Sequence, residues 1–415
     1  MTSRRALAVT PVKNASSRVG EWPFNLDVSD LLATGWRPTP LRQFILKLHS
    51  RCNLACDYCY VYELADQTWR DQPRTMNGAT IGRAAERIAE HAAAHDLRAV
   101  QIVLHGGEPL LGGAGYLDAA AARLRRIEGP RVALTLQTNG TLLDSDILGV
   151  LDRHDIRVGV SLDGTGADHD RSRRLPSGAG SHGMVEAALL RLTAPAHRRL
   201  FAGLLCTVDL RSDPLETYEE LLRFDPPTID FLLPHGNWTS PPPARSDDAR
   251  STPYAGWLIP IFDRWYRSHE PATEVRLFRD IIDLLLGGHS SVETIGLAPT
   301  SVSVIETDGS WEQVDSLKST YHGAAATGLD IWRHSVDTVL LQPALVARQI
   351  GAAALAPQCR RCPFADVCGG GHYPHRYRAG AGFRNPSVYC PDLFAFIDHV
   401  RKTIQADLGP LRRPS

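Results

Sequence analysis

The segment RQFILKLHSRCNLACDYCYVYE (42–63) decides how the rest of the chain is read. Its first seven residues are mostly apolar and suit a β-strand, and the polar stretch that follows carries Cys52, Cys56 and Cys59 with the spacing C-x3-C-x2-C. Three thiolates on one loop can bind three irons of a cubane cluster and leave the fourth iron open, whereas a closed structural zinc site needs a fourth protein ligand. A zinc loop borrowing His49 is the plainer alternative, but zinc loops favour C-x2-C pairs. The loop is read as an iron-sulfur site with an open iron.

Outward from this loop, strand patterns recur at 99–104, 131–137, 156–162, 199–208 and 228–233, making six with 42–48. Between them, Ala-, Leu- and Glu-rich segments at 78–95, 115–127, 144–153, 183–193 and 214–223 have helical spacing. Such alternation implies an α/β protein with a parallel sheet, barrel-like or open. His105-Gly106-Gly107-Glu108-Pro109 follows the second strand, Thr138-Asn139-Gly140 the third and Asp163-Gly164 the fourth. In parallel α/β folds the carboxyl ends of strands build the site, so four consecutive strand ends aim distinctive residues at one mouth.

The chain has 415 residues, enough for two or three domains at roughly 150 residues each. Lys and Arg total 45 against 46 Asp and Glu, so no global field favours nucleic acid. No stretch approaches the roughly 20 apolar residues of a membrane helix. A soluble cytoplasmic protein, with neither nucleic acid nor membrane as partner, is expected. The eight cysteines fall as a trio, the lone Cys206 in an apolar strand, and the quartet Cys359, Cys362, Cys368 and Cys390. Clustering in a large chain favours metal or redox chemistry over a disulfide framework, and Cys206 is read as a core residue. The segment 234–253 is rich in Pro, Ser and Asp and reads as a linker. Helical patterns resume at 254–269 and 274–287, a hairpin joins 301–306 to 311–315 through Thr307-Asp308-Gly309-Ser310, and a helix over 392–407 closes the chain.

CNLACDYCY, with Tyr58 before its third cysteine, resembles the cluster loop of the radical S-adenosylmethionine (SAM) enzymes. Gly106-Gly107-Glu108-Pro109 resembles their GGEP motif and Ser161-Leu162-Asp163-Gly164 their SxDG segment. The resemblance implies a partial (β/α)6 radical SAM barrel over 41–235 after an N-terminal arm at 1–40. It also implies a [4Fe-4S] cluster on the trio, SAM chelating its open iron, and an external one-electron reductant. Gly106 and Gly107 would let the backbone approach the ligand, and Glu108 would accept a bond from the SAM ammonium. Ser161 and Asp163 would reach the ribose or methionyl end, while Gln137 and Asn139 line the mouth. Arg171, or Arg173 in the same run, would pair with the SAM carboxylate.

The spacing of Cys359, Cys362 and Cys368 is C-x2-C-x5-C, with Cys390 in NPSVYCPD as the fourth ligand. Four thiolates close a zinc or a [4Fe-4S] site, and spacing alone does not choose. CRRCPFADVCGGG resembles the C-terminal SPASM domain of radical SAM peptide-modifying enzymes, which implies a SPASM-like iron-sulfur domain over 301–415, joined by a linker and helical bridge at 236–300. Two cysteines of that family pattern are replaced, by Val314 and His372. Both belong to the family's first auxiliary cluster, so two [4Fe-4S] clusters are expected in all, one SAM-binding and one auxiliary. Asp315 follows the first vacant position, where related SPASM enzymes have an Asp that takes a substrate proton; Glu306, Asp308, Glu312 and His372 are the other candidate bases. IETDGSWEQVDSLK (305–318) and CGGGHYPHRYRAGAGFRNPSVYC (368–390) are similar to the FxsB-type maturases, several of which form cyclophanes in ribosomally made peptides. The expected activity is hydrogen abstraction from a β-carbon of a ribosomal precursor peptide, followed by crosslinking to an aromatic side chain, with an auxiliary cluster as electron sink. The alternatives are a thioether, an ether or an epimerisation, or a zinc-stabilised peptide-binding protein without turnover.

Overall fold

The structure, a computed structural model, describes residues 21–411 except 249, 269–272 and 291. Half of the expected N-terminal arm, 1–20, therefore lies outside the described residues.

Six parallel strands form the centre: β1 (Gln43–His49), β2 (Ala99–Gly106), β3 (Arg131–Thr138), β4 (Arg157–Ser161), β5 (Phe201–Thr207) and β6 (Thr228–Leu232). Each pairs in parallel with the next, in register Gln43 with Gln101, Ala99 with Arg131, Thr135 with Arg157, Val158 with Phe201 and Leu204 with Ile229. The strands fall where the apolar runs predict, with ends shifted by one or two residues. β2 alternates along its length between partly buried and fully buried residues. Ile102 and Leu104 take the buried positions and pack with Leu46, Leu134, Val158 and Leu204 in the main core.

Helices cover the outer face. Gly78–Ala94 starts at Asn77, whose side chain accepts from the Thr80 backbone, and buries Ile81, Ala84 and Ile88 at helical spacing. Asp144 and Asp213 cap Ser145–Arg153 and Pro214–Leu222 in the same way.

The sheet stays open and is extended at both edges. Short β7 (Glu274–Val275) adds to β6. On the other side β8 (Val302–Ile305) runs parallel to β1, with Gln43 opposite Val302. β9 (Ser310–Glu312) and β10 (Ala326–Asp330) continue antiparallel, giving ten strands in the order β10-β9-β8-β1-β2-β3-β4-β5-β6-β7. The expected hairpin is present but its second strand ends at Glu312, because Asp315 opens a 3-10 turn over Asp315–Ser319.

The closing helix is longer than expected, Cys390–Leu411, and packs on Pro253–Tyr266 through Phe262 and Phe396. The Asp392 carboxylate accepts from the Tyr254 and Ala255 backbone amides at 2.8 and 3.1 Å, capping that second helix from outside. Among the described residues no helix is long and apolar enough to cross a membrane.

Candidate active site

All six central strands contribute carboxyl-terminal residues to one cavity of about 160 Å³. Cys52, Cys56 and Cys59 enter from the loop after β1, with Tyr58, Tyr60 and Tyr62; His105, Gly106 and Gly107 come from β2 and its end. Gln137 and Asn139 come from β3, Ser161 and Asp163 from β4, Thr207 from β5 and Leu232 from β6. Thus the trio meets seven of the nine residues expected to bind cofactor: Tyr58, Gly106, Gly107, Gln137, Asn139, Ser161 and Asp163 line the cavity, and Glu108 and Arg171 do not.

Glu108 is fully buried behind the wall. Its carboxylate accepts from the Leu110 amide at 3.0 Å, Thr138 Oγ1 at 2.7 Å and the Asn139 amide at 2.8 Å. It fastens the end of β2 to the end of β3, with three of its roughly four acceptor positions taken by the chain itself. The glycines before it also serve the fold: a Cβ on Gly107 would stand 1.8 Å from the Tyr62 hydroxyl and 2.5 Å from the Arg51 carbonyl. That close approach lets Gly107 and Glu108 donate backbone bonds to His49 and Arg51, continuing the β1–β2 ladder under the cysteine loop.

Arg171 is turned away, paired with Asp168 at 2.5 Å and Asp209 at 2.6 Å. Arg173 takes the expected place on the cavity wall. Its Nη1 donates to the Tyr58 hydroxyl at 2.7 Å, and Tyr58 in turn bonds the Asp163 carboxylate. Asp163 also accepts from the Thr207 amide at 3.0 Å, so three strand-end segments lock together. Burial raises the Asp163 carboxyl and Arg173 opposes the rise. Arg173 Nε is buried without a hydrogen-bond partner. An unused guanidinium N–H on a cavity wall suits a carboxylate ligand.

The trio is free of disulfides. Burial pushes the Cys52 thiol up to about 12 and the Cys56 thiol up to about 11, so without a metal these groups are neutral. Coordination to iron deprotonates a thiol outright, and the Leu54 amide at 3.4 Å and Asn139 Nδ2 at 3.6 Å stand ready to donate to the Cys52 sulfur. The donor set fits an iron-sulfur cluster.

Asp315 lies behind the cavity, not on its wall. Its carboxylate contacts Lys47 Nζ at 2.8 Å and Lys318 Nζ at 3.6 Å; Lys318 also meets Glu306 and Glu312 at 2.8 Å each, and all five side chains are buried. Burial alone would raise the Asp315 carboxyl, but Lys47 and Lys318 outweigh it and hold it well below the usual range. Glu312 goes the other way, to about 8, through burial and the neighbouring Glu306.

The quartet is carried by short helical turns and the start of the closing helix. Cys359 lies in the turn Pro357–Arg360, Cys368 ends Ala365–Cys368, and Cys390 opens the closing helix. Each of Cys359, Cys368 and Cys390 is raised by burial and then by neighbouring thiols or opposed by Arg376. Arg376 is buried with its guanidinium on the carbonyls of Gly369 at 2.7 Å and Gly371 at 3.0 Å. A buried cation acting on Cys359 and Cys368 offsets the negative charge of a thiolate-bound cluster, so these residues too fit one. Val314 instead packs in an apolar cluster with Trp22, Leu317, Tyr373 and Phe383. Cys206, 1 % exposed, belongs to the main core.

Parallel strands bring their carboxyl ends together around three free thiols and an arginine with an unspent N–H, and residues 46–192 match the Radical SAM superfamily: this part of the chain is a radical SAM domain. It is 23% identical over 346 residues to the cysteine-type anaerobic sulfatase-maturating enzyme of Clostridium perfringens, covering 80% of this chain and 88% of that one. Native anSMEcpe with bound AdoMet and Cp18Cys peptide superposes with a TM-score of 0.75 at 21% identity, over 90% of this chain and 100% of the other. Streptococcus suis SuiB bound to precursor peptide SuiA gives 0.57 at 13% identity, over 87% and 78%. The mixed α/β architecture with an open sheet is shared with these structures.

Sequence reasoning did not single out Tyr60, Tyr62, Thr207 or Leu232 on the cavity wall. Their signal was available: each follows or ends a predicted strand on the carboxyl side.

Proposed function

We propose that this enzyme is a peptide maturase that removes a hydrogen atom from an unactivated β-carbon of a ribosomally made precursor and joins that carbon to a nearby aromatic side chain, forming a cyclophane. The observation that carries the peptide reading is a second cavity of about 800 Å³ that shares Tyr58, Asp163 and Thr207 with the cysteine cavity. Leu64, Leu210 and Pro241 to Pro243 give it apolar walls, and Asp209 and Arg211 give it charge, a mixture suited to an extended peptide. Relatives whose structures hold a peptide support it.

When bound, the trio's cluster and SAM supply a deoxyadenosyl radical, and a cluster on the quartet supplies an electron acceptor. Arg173 holds the SAM carboxylate, Asn139 tunes the Cys52 sulfur, and Glu108 keeps β2 and β3 in register beneath them. Asp315, reached from the cavity by way of Tyr60 and His105, is the final acceptor of the substrate proton. It stands behind Tyr60 and His105, ionised by two lysines; an oxidised arene adduct is a strong acid, so a weak base suffices. The net change is loss of one hydrogen atom, one electron and one proton from the peptide. The reaction runs in the cytoplasm with an external one-electron reductant.

Co-expression with the small open reading frame beside the gene, followed by tandem mass spectrometry, tests this. The expected product is lighter by about two mass units, with fragmentation suppressed between the joined residues. A product of that mass that fragments freely removes the crosslink. Turnover of a sulfatase instead of the neighbouring peptide would favour the activity named for the Clostridium relative, which the breadth of that match keeps as the second reading.

A further inference from the structure

We infer that His235, His372 and His375 form a mononuclear zinc site beside the peptide cavity. His235 lies on the segment that leaves β6, while His372 and His375 flank Tyr373 and Pro374 in the turn after the three consecutive glycines 369–371. Each offers one ring nitrogen, and the three nitrogens lie within 4.8 Å of one another. The ring centroids are 5.8, 5.8 and 5.0 Å apart.

Two of these rings have a buried nitrogen with nothing to bond: His235 Nδ1 and His375 Nε2. His375 is only 4 % exposed. Buried polar atoms are almost always paired, and two orphans pointing into one cluster of three imidazoles call for a shared partner that accepts lone pairs. The third ring is already oriented, because His372 Nε2 lies 3.4 Å from Ser316 Oγ, leaving Nδ1 for an ion. Tyr60 packs edge-on against His235 at 4.5 Å and Tyr389 lies against His375 at 4.8 Å, so the rings are held by neighbours.

Among the described residues two other groups bring potential ligands together, but one is fully hydrogen-bonded and the other already encloses two ammonium groups. Asp337 bonds His91 and His95 at 2.8 Å each, while the other His91 nitrogen accepts from the Leu41 amide. Glu306, Glu312 and Asp315 enclose Lys47 and Lys318. Among the described residues, only the three histidines combine such proximity with unspent ring nitrogens.

Three imidazoles suit zinc, which takes Zn–N bonds of about 2.0–2.1 Å and in non-structural sites keeps a fourth position open. The three nitrogens, within 4.8 Å of one another, are close enough for one ion between them to draw all three in as ligands. His235 also lines the larger cavity, so the open position faces it and takes water or a substrate oxygen. The presence of the ion does not depend on which bond the enzyme makes; only its use as a substrate anchor rests on the peptide reading.

The test is made on anaerobically purified, cluster-loaded enzyme, stripped of loose metal with a chelator and titrated with zinc alone. Mass spectrometric metal analysis should give one zinc per chain beyond the iron. Zinc-edge X-ray absorption should show a nitrogen/oxygen shell at about 2.0–2.1 Å without the sulfur shell at about 2.3 Å that a cysteine site would add. His235→Ala and His375→Ala should each weaken zinc binding by ~100-fold or more, while Cys362→Ser leaves it in place. A zinc-free wild type, a sulfur shell, or unchanged zinc affinity in both histidine variants overturns the site. If a histidine variant does not fold, the wild-type absorption spectrum still decides.

Discussion

Arg171 and Arg173 belong to one short run, DHDRSRR, yet they do different work. Arg171 is neutralised by Asp168 and Asp209, whereas Arg173 keeps an unpaired Nε on the cavity wall. Arg173→Ala is therefore expected to weaken SAM binding by about 100-fold, worth roughly 3 kcal/mol, and Arg171→Ala to change it less than about threefold; equilibrium dialysis separates them. The sequence narrowed the choice to this run because a GGEP-type and an SxDG-type motif already located the mouth. It could not choose between neighbours, because which arginine finds a carboxylate depends on Asp209, a residue distant in the chain. Glu108 shows the same limit: its residue type suits an ammonium ligand, but the three chain donors that reach it come from folding and carry no signal in the sequence.

Glu312 carries a pH dependence of its own. Burial and Glu306 move its carboxyl from an ordinary 4.5 to about 8, so the folded protein holds a proton that the unfolded chain releases. The stability tied to that proton is complete below about pH 4.5 and is lost as pH rises toward 8, by up to about 1.4 kcal/mol per unit. Glu312→Gln should flatten the fall in thermal midpoint between pH 5 and 8 and leave the variant more stable than wild type at the upper end. Lys318→Met, which abandons buried carboxylates, should cost about 3–5 kcal/mol. Asp315→Asn should spare SAM cleavage and abolish peptide product, read by chromatography of deoxyadenosine and by product mass, with circular dichroism confirming the fold.

At the scale of elements, periodicity was enough for the six central strands and their covering helices, since each is a long apolar run or an amphipathic stretch. β7 has two residues and β10 reads Ala-Thr-Gly-Leu-Asp, so neither carries a pattern; both exist because an existing sheet edge supplies their partner. The glycine loop after Cys368 has the opposite character, being legible as a turn but silent on its purpose. Gly369, Gly370 and Gly371 all have positive φ, and a Cβ on Gly369 would stand 1.7 Å from the Gly296 carbonyl. Gly369→Ala should cost about 3 kcal/mol or more and displace Cys368 from its three partners. Iron per chain should then drop by about half, while SAM cleavage on the trio persists.

For the whole molecule, the metal inventory follows from where apolar packing has closed. Val314 lies among Trp22, Leu317 and Tyr373 in an apolar cluster that, among the described residues, includes no cysteine. Two sets of cysteines then predict about eight irons and eight sulfides per reconstituted chain, and Cys362→Ser should reduce both toward four. A count near twelve would show that a third cluster is housed by ligands other than these seven cysteines.

The parallel pairing of β8 with β1 also limits how the protein can be divided. Residues 43–46 depend on 302–305 to occupy the outer edge of β1, the strand that leads into the cysteine loop. A fragment ending before 300 would leave that edge as a row of bare amides and carbonyls flanked by Phe44 and Leu46, a ready template for another chain. Such a fragment should collect in insoluble material even though it retains every SAM-site residue. Swapping C-terminal halves between homologues would keep the barrel soluble only if the donor brings its own matching strand.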